Sequence, residues 1–182
     1  SAAFPEITGS GERPLPRIRR HVCPVGKDCV ADEFIDRLVE KYRALKIGDP
    51  LLPDTDIGPL ATPGILEDLD HQVKTSIQQG AKVLIGGAPL SDRPGNFYPP
   101  TILSEIPLGC LAEHEEFFGP VALLFRVPDI DAAIRRANNS PFGLGASAWT
   151  TDSQERDRFV EEIESGSVFI NSMVKSDVRL PF

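Results

Sequence analysis

Residues 115–140 read EEFFGPVALLFRVPDIDAAIRRANNS, and this stretch sets the fold class. Val121–Val127 is a short, almost uninterrupted apolar run rich in branched and aromatic side chains, the composition of a strand buried on both faces. Pro128-Asp129 breaks it. Asp129 then stands at an N-cap position, and Ile130, Ala133, Ile134 and Ala137 recur at helical spacing. A buried strand followed directly by an amphipathic helix is one step of an α/β alternation. The same step repeats downstream: ASAWT (146–150) reads as a strand, DSQERDRFVEEIESG (152–166) as a helix ended by Gly166, and SVFIN (167–171) as a strand. Upstream, residues 31–45 place Phe34, Leu38, Tyr42 and Leu45 on one helical face. Thr62-Pro63 opens a second helix with Leu66, Leu69, Val73 and Ile77 along one side and Gly80 at its C-terminal end. KVLIGG (82–87) reads as a further strand, short and buried. Strands alternating with helices of about a dozen residues predict an α/β fold, with a largely parallel sheet covered by helices on both faces.

Composition limits the function. The chain has 182 residues, 41% apolar and 25% charged, with a net charge of −8, within the usual range for a globular domain with its own core. The acidic balance argues against nucleic acid or an anionic membrane surface as a partner. No apolar run has the length of a membrane span. Three cysteines, an odd number, fit a reducing, cytoplasmic setting better than a disulfide scaffold. Cys23 and Cys29 lack zinc-finger spacing, and Cys110, His71 and His114 are scattered, so no metal is expected. Residues 1–30 are punctuated by Gly9, Gly11, Pro14, Pro16, Pro24 and Gly26 and carry Arg13, Arg17, Arg19, Arg20 and Lys27. They read as an irregular basic segment, distinct from the periodic chain over 31–182.

The two acids before the strand pose a chemical question. A buried carboxylate needs a partner or loses its charge. Glu115 and Glu116 therefore either sit on a solvated turn or hold a ligand. In α/β sheets ligands also collect at the carboxyl ends of strands, which marks the loop after SVFIN.

Several stretches bear on that question together: ADEFIDRLVEKYRALKIGDPLLPDTDIGPL, GAKVLIGG, NFYPPTIL, EEFFGP, ANNSPFGLGASAWTTD and VFINSMVKSDVRLPF. In this order and spacing the chain resembles the NAD(P)-dependent aldehyde dehydrogenase superfamily over residues 31–182, and most of all its succinate-semialdehyde dehydrogenase branch, whose members carry proline at the place of Val178. The resemblance implies part of the family's catalytic domain, truncated at both ends. It implies oxidation of an aldehyde, succinate semialdehyde in that branch, to the acid with NAD or NADP. In that family the second glutamate of EEFFGP accepts hydrogen bonds from both hydroxyls of the nicotinamide ribose, a role that falls on Glu116. Phe118 would pack near the nicotinamide ring. Ser176 would meet the distal carboxylate of the substrate, and Lys175 and Arg179 would add positive charge at the aldehyde entrance.

Departures from the pattern matter equally. The family's nucleophile is a cysteine in a Gly-Gln-x-Cys segment. Here the segment is RIRRHVCPVGKDCVADEF, in which Cys23 follows His21-Val22. Cys23 is the catalytic candidate, with Arg19, Arg20 and His21 to lower its pKa, but it does not match the motif. The general-base glutamate and the phosphate-binding half are expected upstream of this region in the family. The chain alone is therefore expected to be inactive. Expected partners are a small aldehyde and either a second copy of the chain or a chain bringing the missing half. Two further readings stay open, a non-catalytic assembly subunit and one half of a split dehydrogenase.

Overall fold

The computed structural model describes residues 19–24 and 30–175. The described chain falls into two compact units, one ending at Arg126 and one beginning at Val127.

The first unit is built on a four-stranded sheet of order β1-β4-β3-β2, formed by β1 (Arg19–Pro24), β2 (Lys82–Ile85), β3 (Thr101–Ser104) and β4 (Val121–Val127). Strands β3 and β4 run parallel, with Thr101 opposite Val121, Ile102 opposite Ala122 and Leu103 opposite Leu123. Strand β2 pairs antiparallel to β3 and carries an irregularity between Val83 and Ile85; expected to be buried, it stands at the sheet edge with Lys82 and Val83 exposed and Leu84 and Ile85 half-buried. The two-residue repeat of β3 and β4 sorts their side chains between two cores. Leu103, Val121, Leu123 and Phe125 pack with Leu69 and Val73 of α2 (Pro63–Gln78), together with Tyr98, Phe117 and Cys110. Ile102, Ala122 and Leu124 face Leu38 of α1 (Val30–Ala44), with Phe34, Ile35, Val39 and Tyr42 around it. One helix thus covers each face, which is why the apolar run of β4 is nearly continuous rather than alternating.

Helix α2 begins as its sequence dictates. Thr62 is the N-cap, its Oγ1 accepting from the Ile65 N–H at 3.2 Å, and Pro63 takes the first helical position. At the other end Gly80 adopts φ +110° and donates to Ile77 O at 3.0 Å, a left-handed stop that glycine takes without Cβ strain. A single turn, α3 (Leu111–His114), precedes the 115–120 loop.

The second unit pairs β5 (Ala146–Ala148) in parallel with β6 (Val168–Ile170) and carries α4 (Ile130–Asn138) and α5 (Ser153–Glu162). Asp129 caps α4 by accepting from the Ala132 N–H at 2.7 Å. The two helices are tied by Arg158–Asp131 at 2.6 Å and by Asn138 Nδ2 donating to Glu162 O at 2.7 Å.

Two further expectations differ from the structure, and one strand escaped the sequence reading. The segment 1–30, expected to be irregular, contains β1. Its residues RRHVC hold no glycine, and the strand closes at Pro24 on the outer edge of the sheet, where a missing N–H is tolerated. Helix α5 stops at Glu162 instead of running to Gly166. Asn138 Oδ1 takes the Glu164 N–H at 2.9 Å and Gly143 O takes the Gly166 N–H at 2.7 Å, so tertiary partners capture the last turn. Strand β3, four residues behind Pro99-Pro100, was too short to show a period.

Candidate functional site

An open cleft of about 330 Å³ lies in the first unit, lined by Ile65, Asp68, Leu69 and Gln72 from α2 and by Glu116 and Phe118 from the loop before β4. The four helical residues follow i, i+3, i+4, i+7 spacing, so they share one side of α2. Leu69 is the buried anchor of that stripe, and Asp68 and Gln72 rise from it toward solvent.

The loop is fixed at several points. Phe117 is fully buried, which drives its neighbours the other way: Phe118 is 63% exposed. Gly119 lies against α2 so closely that a Cβ built there would stand 2.3 Å from Leu69 Cδ2. The Gly119 N–H donates to Phe117 O at 2.9 Å, and Pro120 O accepts from the Thr101 N–H at 2.9 Å, locking the loop onto β3. Gln72 Nε2 donates to Glu115 Oε2 at 2.9 Å and to Glu116 O at 3.1 Å.

This answers the question raised by the paired acids. Glu115 is exposed and accepts from Gln72. Glu116 is half-buried at the cleft, and among the described residues its carboxylate has no hydrogen-bond partner. A carboxylate in that position offers two oxygens to a ligand bearing adjacent hydroxyls. Exposed Phe118 offers an aromatic face beside it. Two expected site residues, Glu116 and Phe118, are therefore brought together. Gln72 and Asp68 escaped the sequence reading, although helical spacing from Ile65 and Leu69 would have placed them on the same side.

Glu113 is buried, with its Oε2 accepting from the Gly109 N–H at 2.6 Å. Burial, and secondarily the charge of Asp70, push the Tyr98 hydroxyl well above the usual phenol range, so it stays neutral. Neither Glu113 nor Tyr98 is among the residues that line the cleft.

At the carboxyl ends of β5 and β6, Asn171 takes φ 52°, a left-handed conformation that asparagine adopts more readily than most residues. Its side chain clasps Thr150, with Oδ1 accepting from the Thr150 N–H at 3.0 Å and Nδ2 donating to Thr150 O at 2.9 Å. Residues 172–175, including Lys175, are exposed beyond it. Ser176 and Arg179 lie outside the described residues. Cys23 falls on β1, and its side chain is likewise outside them. Among the described residues no cluster of three or more His, Cys, Asp or Glu is arranged to hold a metal, and no helix is long and apolar enough to cross a membrane.

Residues 22–182 match the aldehyde dehydrogenase family. A probable succinate-semialdehyde dehydrogenase [NADP(+)] of Synechocystis sp. is 54% identical over 153 residues, covering 84% of this chain and 34% of that protein. Among solved structures, lactaldehyde dehydrogenase from Escherichia coli superposes with a TM-score of 0.83 at 28% identity, covering 89% of this chain and 33% of that one. Aldehyde dehydrogenase 21 from Physcomitrella patens, in complex with the reaction product succinate, gives 0.78 at 31% identity, covering 88% and 32%. This chain spans about a third of the length of the relatives it matches. With the family match running through both units and the α/β architecture shared, the chain belongs to the aldehyde dehydrogenase family.

Proposed function

We propose that this chain contributes the nicotinamide-ribose grip and part of the aldehyde entrance of an NADP- or NAD-dependent dehydrogenase that oxidises succinate semialdehyde to succinate. The observation that carries this reading is the cleft between α2 and the 115–120 loop, where the half-buried Glu116 carboxylate and exposed Phe118 stand together. The donor set fits the group. Two carboxylate oxygens match two vicinal ribose hydroxyls, and an aromatic face suits a flat ring beside them. The nicotinamide cofactor, when bound, serves as the hydride acceptor. Glu116 holds the sugar, and Phe118 walls the ring. The cysteine whose thiolate attacks the aldehyde has one candidate here, Cys23, which does not match the family's motif.

The substrate assignment is supported by the 54% identical relative, named a probable succinate-semialdehyde dehydrogenase [NADP(+)], and by the succinate-bound neighbour. Ser176 and Arg179 are the residues that would read the distal carboxylate. The test grafts residues 31–182 into the matching part of the Synechocystis relative and adds Ser176→Ala. A hydrogen bond to a charged group is worth about 1.5–3 kcal/mol, so kcat/KM for succinate semialdehyde should fall about 10- to 150-fold. Propanal, which has no carboxylate, should be little affected. Equal losses for both aldehydes would overturn the assignment.

The chain spans about a third of its relatives' length, so the segment is assayed for turnover alone and beside the remainder of a relative. Aldehyde-dependent reduction of NADP should then be absent from the purified chain and appear when the complementary two-thirds of the relative is added. Steady turnover by the chain alone, abolished by Cys23→Ser, would overturn the expectation of inactivity.

A further inference from the structure

We propose that Gln72 is a positioning residue for the Glu116 carboxylate. The proposal rests on the reading of Glu116 as the ribose acceptor. One side-chain amide nitrogen donates to two oxygens of the loop, Glu115 Oε2 at 2.9 Å and Glu116 O at 3.1 Å. Both neighbours are acceptors, an exposed carboxylate and a backbone carbonyl, so the NH₂ end and not the carbonyl end of Gln72 must face them. An NH₂ group has two hydrogens, and both are used.

The consequence is a fixed peptide at Glu116. On one side its carbonyl is tied to α2 by Gln72. On the other, Phe117 is buried in the core and Gly119 abuts Leu69. Gln72 and Leu69 lie three residues apart on the same side of α2. The helix therefore grips the loop at two successive points, one polar and one apolar, and Glu116 lies between them. Glu115 takes up one Gln72 hydrogen and balances the loop's outer edge. The inner carboxylate is left without a partner among the described residues, and its backbone is held still. A ligand that must meet both carboxylate oxygens at once gains from such a fixed stem, because less freedom is lost on binding.

The competing role is bracing of the loop for stability alone. The two roles separate by experiment on the full chain, labelled with ¹⁵N and titrated with nicotinamide mononucleotide, which presents this ribose without the adenylate. Wild type should show shifts centred on Glu116, Phe118 and Gln72. Gln72→Ala should bind about three- to tenfold more weakly, on the order of what one typical hydrogen bond contributes. Gln72→Glu keeps the shape but has no N–H and sets a negative charge against Glu115; it should be at least as weak. Gln72→Lys restores a donor and should return affinity to within about twofold of wild type, whether or not its melting temperature recovers. Equal affinity in wild type, Gln72→Ala and Gln72→Glu overturns the positioning role and leaves the ribose reading intact. Affinities that merely follow the melting temperatures of all three variants also overturn it, since that is bracing alone. If wild type shows no shifts at Glu116 and Phe118, the ribose reading itself fails and takes the proposal with it.

Discussion

Replacing Gly119 by alanine should loosen the first unit, and the structure sets the size of the effect. The added Cβ would stand 2.3 Å from Leu69 Cδ2 and 3.4 Å from Leu69 Cδ1 and Cγ. Carbon atoms rest at about 3.5–4.0 Å, so the closest approach is short by more than about 1 Å. Leu69 has nowhere easy to go, because it is buried among Val73, Leu103, Phe117 and Leu123. The loop is equally confined by buried Phe117 and by the Thr101 N–H to Pro120 O bond at 2.9 Å. Overpacking of this kind costs about 1–3 kcal/mol. Alanine also restricts the unfolded chain relative to glycine, a gain of about 0.4–1 kcal/mol. The net loss should be about 1–2 kcal/mol.

The assay is amide hydrogen exchange at Ile102 and Leu123, the centre of the β3–β4 pair, which reports opening of this unit. Exchange should quicken about 5- to 30-fold in Gly119→Ala. A Leu69→Ala background supplies the control. That change leaves a cavity and costs about 2–5 kcal/mol by itself, but it removes the atom with which the new Cβ collides. Gly119→Ala should then be neutral or stabilising, giving a coupling of about 1–3 kcal/mol. Unchanged or slower exchange in Gly119→Ala, or the same cost in both backgrounds, would refute the close-approach argument.

Thr62→Ala removes the side-chain acceptor of the Ile65 N–H and should lower stability by about 1 kcal/mol, read as a shift in the urea midpoint; Thr62→Ser should restore most of it. The second unit should be acid-sensitive through Glu162. The hydrogen bond from Arg158 holds its carboxyl below the ordinary value of 4.5, so its stabilising contribution is present above that value and lost as pH falls through the lower folded one. Arg158→Ala should flatten this acid limb, followed by the fluorescence of Trp149, and an unchanged limb would count against the pair. Phe142, Leu144, Trp149, Val160, Met173 and Val174 are all exposed in that same unit, so the chain should self-associate or need a partner for solubility. A monodisperse monomer by light scattering at about 100 μM, an order-of-magnitude choice within the range where exposed apolar surface drives aggregation, would contradict this.

The parts of the fold legible in the sequence were those whose signal is local. Helix α2 carried its own start in Thr62-Pro63 and its own stop in Gly80, and the caps form as written. Asp129 did the same for α4. Strand β4 was legible because both its faces are buried, which leaves a long apolar run. Strand β3 is buried just as completely, but four residues after two prolines give no run long enough to read. The end of α5 was misplaced because Asn138 and Gly143, more than twenty residues away in sequence, supply the partners that stop it. No local pattern encodes a partner at that distance.

The candidate site shows the same division more sharply. Adjacent acids before an apolar run look alike whether they face water or a ligand, so the residues alone left both options open at Glu115 and Glu116. Resemblance to the family singled out Glu116, and the fold supplies a physical ground for treating the two differently. Phe117 points inward, so its neighbours turn away from that core, and Gln72 then breaks the symmetry by engaging the side chain of one glutamate and only the backbone of the other. That asymmetry is made by a residue 43 positions upstream of Glu115, on a helix whose apolar stripe was legible while its polar members were not. Helical spacing says which residues share a side; it does not say what that side meets. The meeting is fixed by Gly119, whose missing side chain lets the loop approach α2 closely enough for an amide at position 72 to reach it. A glycine chosen for close approach and a glutamine chosen for reach are therefore parts of one device, and substitution at either should be felt at Glu116.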